Sequence, residues 1–119
     1  KAKRGVYSPK SLENLPSNFI DRFFIKSGDN YEISERIKNC IEFKHHNLLV
    51  DKYPENCDLI LCRNVMIYFT EEAKAEMYHN FRKSLSSNGV LFVGSTEQII
   101  LPNRYKLKSI RTFFYKRSE

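Results

Sequence analysis

Two polar side chains, Arg63 and Asn64, follow an apolar run of strand length and could bind a charged ligand. The run, Leu59 to Cys62, is typical of a strand buried on both faces of a sheet. A polar cluster at the carboxyl end of such a strand is where open α/β sheets bind ligands. A guanidinium there could orient a carboxylate through two hydrogen bonds. A core strand followed by an ordinary polar loop gives the same pattern, so both interpretations stay open.

The composition predicts a small globular protein from a reducing compartment. The chain has 119 residues, 41% of them hydrophobic, which suits one small domain. It contains no apolar run of about eighteen residues and no secretory leader, so we expect neither a membrane span nor export. Its three cysteines lack the spacing of a disulfide framework. We therefore expect a cytoplasmic protein without membrane insertion.

The formal net charge of +6 is spread along the chain, without a concentrated basic block before the last strands. There, Arg104, Lys106 and Lys108 alternate with other residues, which predicts three cations on one face of a strand. A solvated edge strand explains this face better than nucleic-acid binding does, because most of the aromatic residues fall at positions that pattern as core. A patch for an acidic protein partner is the other interpretation.

Residues 1–43 predict the end of a helix followed by a small antiparallel β and helical subdomain. The basic residues before Gly5 are typical of a helix carboxyl terminus. Residues 16–24 have the apolar spacing of a short amphipathic helix. The turn residues Gly28 to Asn30 indicate a hairpin. Residues 35–38 are ambiguous between strand and helix, and Cys40 to Phe43 alternates as a strand does.

Residues 44–119 predict half of a parallel sheet. After the central strand, Thr70 is a candidate N-cap for a helix. Its buried stripe recurs every four residues, at Ala73, Met77, Phe81 and Leu85, and a turn at Asn88–Gly89 ends it. A buried strand over residues 90–94 and two closing strands, 105–109 and 112–116, complete the pattern. This order predicts an α/β fold, the second half of a doubly wound sheet, without the Gly-rich loop of a first half.

Several segments, taken together, resemble the carboxyl-terminal part of the CheR-type chemotaxis receptor methyltransferases, which use S-adenosylmethionine. The most specific of them is the run Cys62-Arg63-Asn64-Val65-x-Ile67-Tyr68-Phe69. The others follow in the family's order: Ala2-x-x-Gly5-x-Tyr7, Phe43, Asn47-Leu48-Leu49, Gly89-x-Leu91-Phe92-x-Gly94-Ser95-x-Glu97 and Phe114-Tyr115. The resemblance implies a Rossmann-like class I methyltransferase sheet with a small antiparallel β subdomain.

The resemblance also implies roles for individual residues. By position, Asn47 and Leu48 lie against the adenosine of S-adenosylmethionine, and Cys62 and Arg63 line the cofactor cleft. Asn64, Tyr68 and Arg63 lie where the methyl donor meets the substrate carboxylate. The implied activity is protein-glutamate O-methylation of a methyl-accepting chemotaxis receptor, with S-adenosylhomocysteine as the product. In some members of the family the small subdomain docks a peptide at the receptor's carboxyl terminus.

The residue types suit that chemistry. A glutamate carboxyl has an ordinary pKa of about 4.3, so it is ionised at neutral pH and needs no general base. Catalysis requires an in-line approach of carboxylate to methyl with water excluded, which Arg63 could orient and Tyr68 could help to steer. Because the residues for the cofactor's other wall are absent from the sequence, we expect the chain alone to be inactive. Because half of a doubly wound sheet exposes an edge and an apolar face, we also expect the chain to self-associate.

Four alternatives remain. His45-His46 and the cysteines could suggest zinc, but no C-x-x-C is present, so we predict no metal site. Arg63 could be a structural ion-pair partner of Asp58 or Glu97. The subdomain before residue 44 could be a peptide-binding module without chemistry. A nucleic-acid binder would need exposed aromatic residues interleaved with cations.

Overall fold

The computed structural model describes residues 2–94 and 97–118, so Ser95 of the CheR-type motif lies outside the described residues. The chain forms two compact units, Lys1–His45 and His46–Glu119. The first holds a three-stranded antiparallel sheet, and the second holds a four-stranded mixed sheet with one long helix. The protein is therefore an α/β protein, as the sequence predicts.

In the first unit, a hairpin forms around the turn that the sequence predicts. Residues 2–5 are turn residues, and the elements that follow are β1 (Val6–Tyr7), a 3₁₀ helix (Lys10–Leu12), α1 (Ser17–Phe23), β2 (Phe24–Ser27), β3 (Asn30–Ile33) and α2 (Glu35–Lys38). Both β1 and β2 pair antiparallel with β3, so the order is β1-β3-β2. The predicted helix and hairpin are confirmed, and the ambiguous residues 35–38 are helical.

The strand predicted at Cys40–Phe43 is wrong, because the chain continues from α2 as turns and loop. Ser34 caps α2 by accepting a hydrogen bond from the Ile37 amide, which starts the helical turn. The Cys40 amide then donates to the Ile37 carbonyl at 3.0 Å. Backbone groups that are hydrogen-bonded within a turn are not available to pair with a neighbouring strand.

In the second unit, two parallel strands are joined through a helix and completed by an antiparallel hairpin. Its elements are β4 (Cys57–Leu61), a 3₁₀ helix (Met66–Tyr68), α3 (Glu71–Ser84), β5 (Leu85–Phe92), a 3₁₀ helix (Pro102–Tyr105), β6 (Leu107–Arg111) and β7 (Phe114–Arg117). The sheet order is β4-β5-β7-β6, with β4 and β5 parallel and the other pairs antiparallel. The predicted order of strand, helix, strand and closing hairpin is confirmed.

The helix α3 covers one face of this sheet. Thr70 caps it, since its hydroxyl oxygen accepts a hydrogen bond from the Ala73 amide at 3.1 Å. Of the predicted stripe, Met77 and Phe81 are buried on α3, whereas Leu85 is buried as the first residue of β5. They join one apolar core with sheet residues such as Leu91. Burial of this stripe, more than helix propensity, holds α3 in place.

The turn predicted at Asn88–Gly89 is a bulge inside β5. Cys57 pairs with Leu85 and Leu59 pairs with Val90, so residues 86–89 lie opposite Asp58 alone. A Cβ at Gly89 would lie 2.5 Å from the Cys57 carbonyl oxygen, so the bulge needs glycine there. Turn residues also suit bulges, which is why the sequence could not distinguish the two.

The prediction of three cations on one strand face is wrong as well. Arg104 lies in the 3₁₀ helix, Lys106 has a left-handed backbone with φ of 56°, and only Lys108 lies in β6. The chain turns here because Tyr105 is buried, with its ring centroid 5.1 Å from that of Tyr78.

The strand β4 is also not buried on both faces in this chain. Ile60 packs against the core, whereas Leu59 and Leu61, on the opposite face, are 58% and 64% exposed. The apolar sequence of the strand predicts a second cover, and α3 supplies only one.

Candidate functional site

The carboxyl ends of the parallel strands β4 and β5 lie side by side and bring Arg63 to a fixed position. The Cys62 amide donates to the Phe92 carbonyl at 2.9 Å, which extends the pairing one residue past β4. Arg63 Nε then donates to the Gly94 carbonyl at 3.1 Å. Arg63 as a whole remains exposed. The bond therefore holds the guanidinium at the edge of the sheet where α/β proteins bind ligands.

The alternative role of Arg63 as an ion-pair partner is wrong within the described residues. Glu97 pairs with Lys74 instead, and Asp58 accepts a hydrogen bond from the Ser86 hydroxyl at 3.1 Å. The partner of Arg63 is a backbone carbonyl, which leaves its positive charge uncompensated there. An exposed guanidinium in this state can still receive a carboxylate.

The carbonyl that holds Arg63 is itself held by close packing. A Cβ at Gly94 would lie 2.7 Å from the ring of Phe113, so only glycine lets that ring approach. Phe113 has a left-handed backbone with φ of 70°, in the turn between β6 and β7. Its carbonyl accepts a hydrogen bond from the Val93 amide at 3.1 Å. The β6–β7 turn thus fixes the backbone on which Arg63 rests.

The segment after Arg63 turns so that apolar and polar side chains separate. Asn64 has a φ of 59°, a left-handed conformation that asparagine tolerates better than most residues. Met66 then enters the core, whereas Tyr68 is 80% exposed. Arg63, Asn64 and Tyr68 therefore lie exposed on one short segment between β4 and α3.

The Cys62 side chain points into the core. It is 7% exposed, and its Sγ lies 3.9 Å from Met66 Sδ. Burial raises the pKa of this thiol, so it stays protonated at neutral pH. A ligand at the strand end would therefore meet the main chain of Cys62 and not a thiolate.

Asn47 begins a tight turn in which its side-chain oxygen accepts a hydrogen bond. Its Oδ1 accepts from the Leu49 amide at 2.9 Å, an Asx turn, and its own amide donates to Asp51 Oδ2 at 2.7 Å. Among the described residues the side-chain NH₂ group of Asn47 has no acceptor, so it can donate to a ligand.

Leu48 attaches this turn to the core. Its side chain is half-buried against the core cluster, and its carbonyl accepts from the Tyr53 hydroxyl at 2.8 Å. The Tyr53 ring packs 5.5 Å from that of Phe81 on α3, between ring centroids. Burial raises the pKa of the Tyr53 phenol, so the hydroxyl remains a donor. The turn therefore presents Asn47 from a fixed base.

An ion pair joins α3 to the segment that follows β5. Lys74 Nζ is 3.0 Å from Glu97 Oε1, and both side chains are less than one-fifth exposed. The hydrogen bond that Lys74 donates to Glu97 raises the pKa of the Lys74 ammonium. A second carboxylate, Glu71, lies 3.5 Å away but is 92% exposed.

Metal ligation and membrane insertion find no support in the described residues. No group of three or more histidine, cysteine or acidic side chains is placed to hold a metal ion in residues 2–94 and 97–118. Over the same ranges no helix combines the length and apolar character needed to cross a bilayer.

The sequence of the chain matches the profile of the CheR methyltransferase SAM-binding domain over residues 1–114. The chain belongs to the CheR methyltransferase family. The resemblance recognised in the sequence is therefore confirmed.

Relatives of this CheR-family chain include several proteins named chemotaxis protein methyltransferase. It is 42% identical over 115 residues to the one from Listeria monocytogenes, a match that covers 97% of this chain and 44% of the relative. It is 43% identical to that of Listeria innocua, with the same coverage. The Escherichia coli relative is 33% identical, covering 91% of this chain and 40% of the relative. The chain thus spans less than half the length of these relatives.

Sequence reasoning predicted candidate site segments in this CheR-family chain but missed the contacts that hold them. It assigned no role to Tyr53, Lys74 or Phe113. The match to the family motif includes Gly94 and Glu97, but a motif does not say which carbonyl or cation each residue meets. The one available signal was Tyr53, an aromatic residue in an otherwise polar linker.

Proposed function

We propose that this chain is part of an S-adenosylmethionine-dependent methyltransferase that forms esters on glutamate side chains of chemotaxis receptors. The observation that carries the proposal is Arg63, exposed and tied through Nε to the Gly94 carbonyl. Because that bond uses Nε, the fork of terminal nitrogens can bind a carboxylate. Membership of the CheR family and named chemotaxis relatives support the choice of substrate class.

The residues of the Asn47 turn fit one wall of a nucleoside site. Asn47 has an amide donor to offer to a ring nitrogen of adenine, since Leu49 uses its acceptor. Leu48 offers an apolar side chain that packs against the core. Cys62 and Arg63 follow directly on the carboxyl end of β4. In this proposal Asn47, Leu48, Cys62 and Arg63 bind the cofactor. When bound, S-adenosylmethionine supplies an electrophilic methyl group and leaves as S-adenosylhomocysteine.

In the same proposal Arg63, Asn64 and Tyr68 act on the substrate. Arg63 orients the ionised carboxylate, so that one oxygen lone pair points along the line of attack. Tyr68 places an aromatic face near positive charge and a hydroxyl near the carboxylate. Asn64 contributes an amide at the turn between them. No residue needs to remove a proton, because the nucleophile is already an anion.

The organisation of the protein is part of the proposal. Residues 1–43 form the end of a helix and a small β subdomain, and residues 44–119 form the second half of a doubly wound, Rossmann-like class I methyltransferase sheet. We place the protein in the cytoplasm, because Cys40, Cys57 and Cys62 are free thiols. Its partner is a receptor protein and not a nucleic acid or the bilayer itself.

A second candidate function is peptide binding by the first unit without chemistry. The strand β2 is an edge of the β1-β3-β2 sheet, and its Ile25 is 67% exposed. An extended peptide can add to such an edge through backbone hydrogen bonds. A titration with a peptide from the receptor's carboxyl terminus, with Ile25→Lys as the control, separates this function from catalysis.

Methyl transfer by the full-length protein tests the main proposal. The protein is incubated with methyl-labelled S-adenosylmethionine and a helical receptor fragment. We expect label on the receptor that mild base releases, as a carboxyl ester requires. A receptor fragment with its glutamates replaced by alanine is the control and stays unlabelled. Label that survives mild base contradicts the proposal.

The 119-residue chain alone gives a second test. We expect no turnover and no micromolar binding of S-adenosylmethionine, because Asn47, Leu48, Cys62 and Arg63 form one wall of a cleft. Calorimetry measures the binding. A monomer that binds the cofactor at micromolar concentration would contradict this part of the proposal.

A further inference from the structure

We propose that Lys74 is a positioning residue for Arg63, acting through Glu97 and the Gly94 carbonyl. The inference rests on the proposed function, in which Arg63 orients the substrate carboxylate. It assigns a role to a lysine on α3 that carries no part of the chemistry itself.

The pair of Lys74 and Glu97 is better shielded than the other ion pairs of the described residues. The two side chains are 13% and 19% exposed. By contrast, Lys44 and Glu42, 3.3 Å apart, are 69% and 76% exposed. Solvent screens a partly buried pair less than an exposed one, so its geometry is held more tightly.

Lys74 has a fixed base on α3. Its amide donates to the Thr70 carbonyl at 2.9 Å, in the turn that the Thr70 hydroxyl caps. Met77 and Tyr78, on the following turn, are buried in the core. The ammonium therefore extends from a capped first turn of a helix whose next turn is packed into the core.

Glu97 connects this base to Arg63 along a short stretch of chain. It lies three positions after Gly94, whose carbonyl accepts the hydrogen bond from Arg63. With Phe113 packed on Gly94 and Lys74 bonded to Glu97, the backbone is held at both positions. Releasing Glu97 would let the Gly94 carbonyl rotate away from the guanidinium.

These contacts close a ring that includes the proposed catalytic segment. Arg63 leads through Asn64 and Tyr68 to Thr70, where α3 begins. Lys74 returns through Glu97 to Gly94 and so to Arg63. A ring of this kind reduces the freedom of the guanidinium before substrate arrives, which is how positioning residues raise kcat.

The test compares Lys74→Met with a matched control, Glu71→Gln, in the full-length protein. Lys74→Met removes both ion pairs of Lys74, whereas Glu71→Gln removes only the pair with Glu71 and keeps the contact with Glu97. We expect Lys74→Met to lower kcat about tenfold at saturating cofactor, with a smaller change in KM. Glu71→Gln keeps kcat within about twofold of the unchanged protein. A kcat unchanged by Lys74→Met overturns the inference.

A double-mutant cycle with Arg63→Ala separates positioning from general destabilisation. If Lys74 acts through Arg63, Lys74→Met causes no further loss of kcat once Arg63 is alanine. If it acts on stability alone, it lowers activity by the same factor in both backgrounds, and the inference is wrong. Exchanging the charges, with Lys74→Glu and Glu97→Lys together, restores part of the lost kcat.

A readout independent of activity distinguishes failure of this inference from failure of the proposed function. In arginine-labelled protein, NMR follows hydrogen exchange at Arg63 Nε. We expect exchange to be about tenfold faster in Lys74→Met than in Glu71→Gln, because the bond to Gly94 opens more often. Equal exchange in the two variants overturns the inference even if the protein methylates receptors. Faster exchange without methylation supports the inference and contradicts the proposed function.

Discussion

The two faces of the β4-β5-β7-β6 sheet have similar apolar sequences but different surroundings. On the covered face, defined by Ile60, Leu91 and Tyr115, Leu91 is 0% exposed and Tyr115 is 4% exposed beneath α3. On the open face, defined by Leu59, Leu61, Val90, Phe92 and Phe114, the two leucines of β4 are more than half exposed.

The difference shows that the apolar pattern of a strand does not by itself tell how many of its faces are covered in this chain. The rings of Phe92 and Phe114 lie 4.6 Å apart, between centroids, and cover part of the open face. Leu59 and Leu61 still expose a contiguous apolar surface of the kind that marks an interaction site. The chain matches less than half the length of its relatives. We propose that the remaining length of such a protein covers the open face.

The largest effect is expected from truncation on the covered face. Leu91→Ala should lower the free energy of unfolding by about 3 kcal/mol, since it leaves a cavity beneath α3. Leu61→Ala on the open face, the matched control, should cost less than about 1 kcal/mol. Urea unfolding of the 119-residue chain measures both values. Equal costs would show that the two faces do not differ in packing.

The second-largest effect is expected at the carboxyl end of β4, where Arg63 is exposed but is proposed to be needed for turnover. Arg63→Ala in the full-length protein should reduce turnover at least tenfold, which corresponds to about 1.4 kcal/mol in the barrier. The variant should remain folded, because Arg63 is exposed and the change removes a single hydrogen bond, the one to the Gly94 carbonyl. Arg111→Ala, which removes another exposed arginine, is the control and keeps its turnover. Unchanged kinetics for Arg63→Ala would make it a structural residue.

A third, smaller effect is expected from the N-cap of α3, the helix on the covered face. Thr70→Ala removes the acceptor for the Ala73 amide and should lower the free energy of unfolding by about 1 kcal/mol. Thr70→Ser keeps the hydroxyl and should retain most of that stability. Circular dichroism during thermal unfolding gives the comparison. An alanine variant as stable as the serine variant would show that the cap contributes nothing.

Local signals were sufficient for most of the elements and insufficient for the contacts of the site. Thr70 and the apolar stripe after it predict α3, and Gly28 to Asn30 predict the β2–β3 hairpin, because caps and turns act over a few residues. The bond from Arg63 to Gly94 spans 31 positions, and the bond from Tyr53 to Leu48 depends on where the ring of Tyr53 packs. Such contacts follow from register and side-chain packing, which no local pattern encodes.

The sequence also failed where one residue type suits two structures. Asn88–Gly89 fits a turn or a bulge, and the register opposite Asp58 decides for the bulge. Cys40 to Phe43 alternates as a strand, but the turn that follows α2 uses the backbone first. In both cases a nonlocal or competing hydrogen bond overrides the local preference.

The smallest change in the free energy of unfolding is expected for substitutions on the open face. The same substitutions should have a clear effect on self-association. We expect the 119-residue chain to self-associate, because β4 is an edge strand and Leu59 and Leu61 expose apolar surface beside it. Replacing both leucines with threonine should cost the isolated chain about 0.5 kcal/mol or less, since little burial is lost. It should also reduce the average mass in light scattering towards that of a monomer. In the full-length protein the same two substitutions should lower the free energy of unfolding much more, if the open face is covered there. A monomeric unchanged chain, or equal stability losses in both lengths of protein, would contradict the proposal that this face is an internal surface.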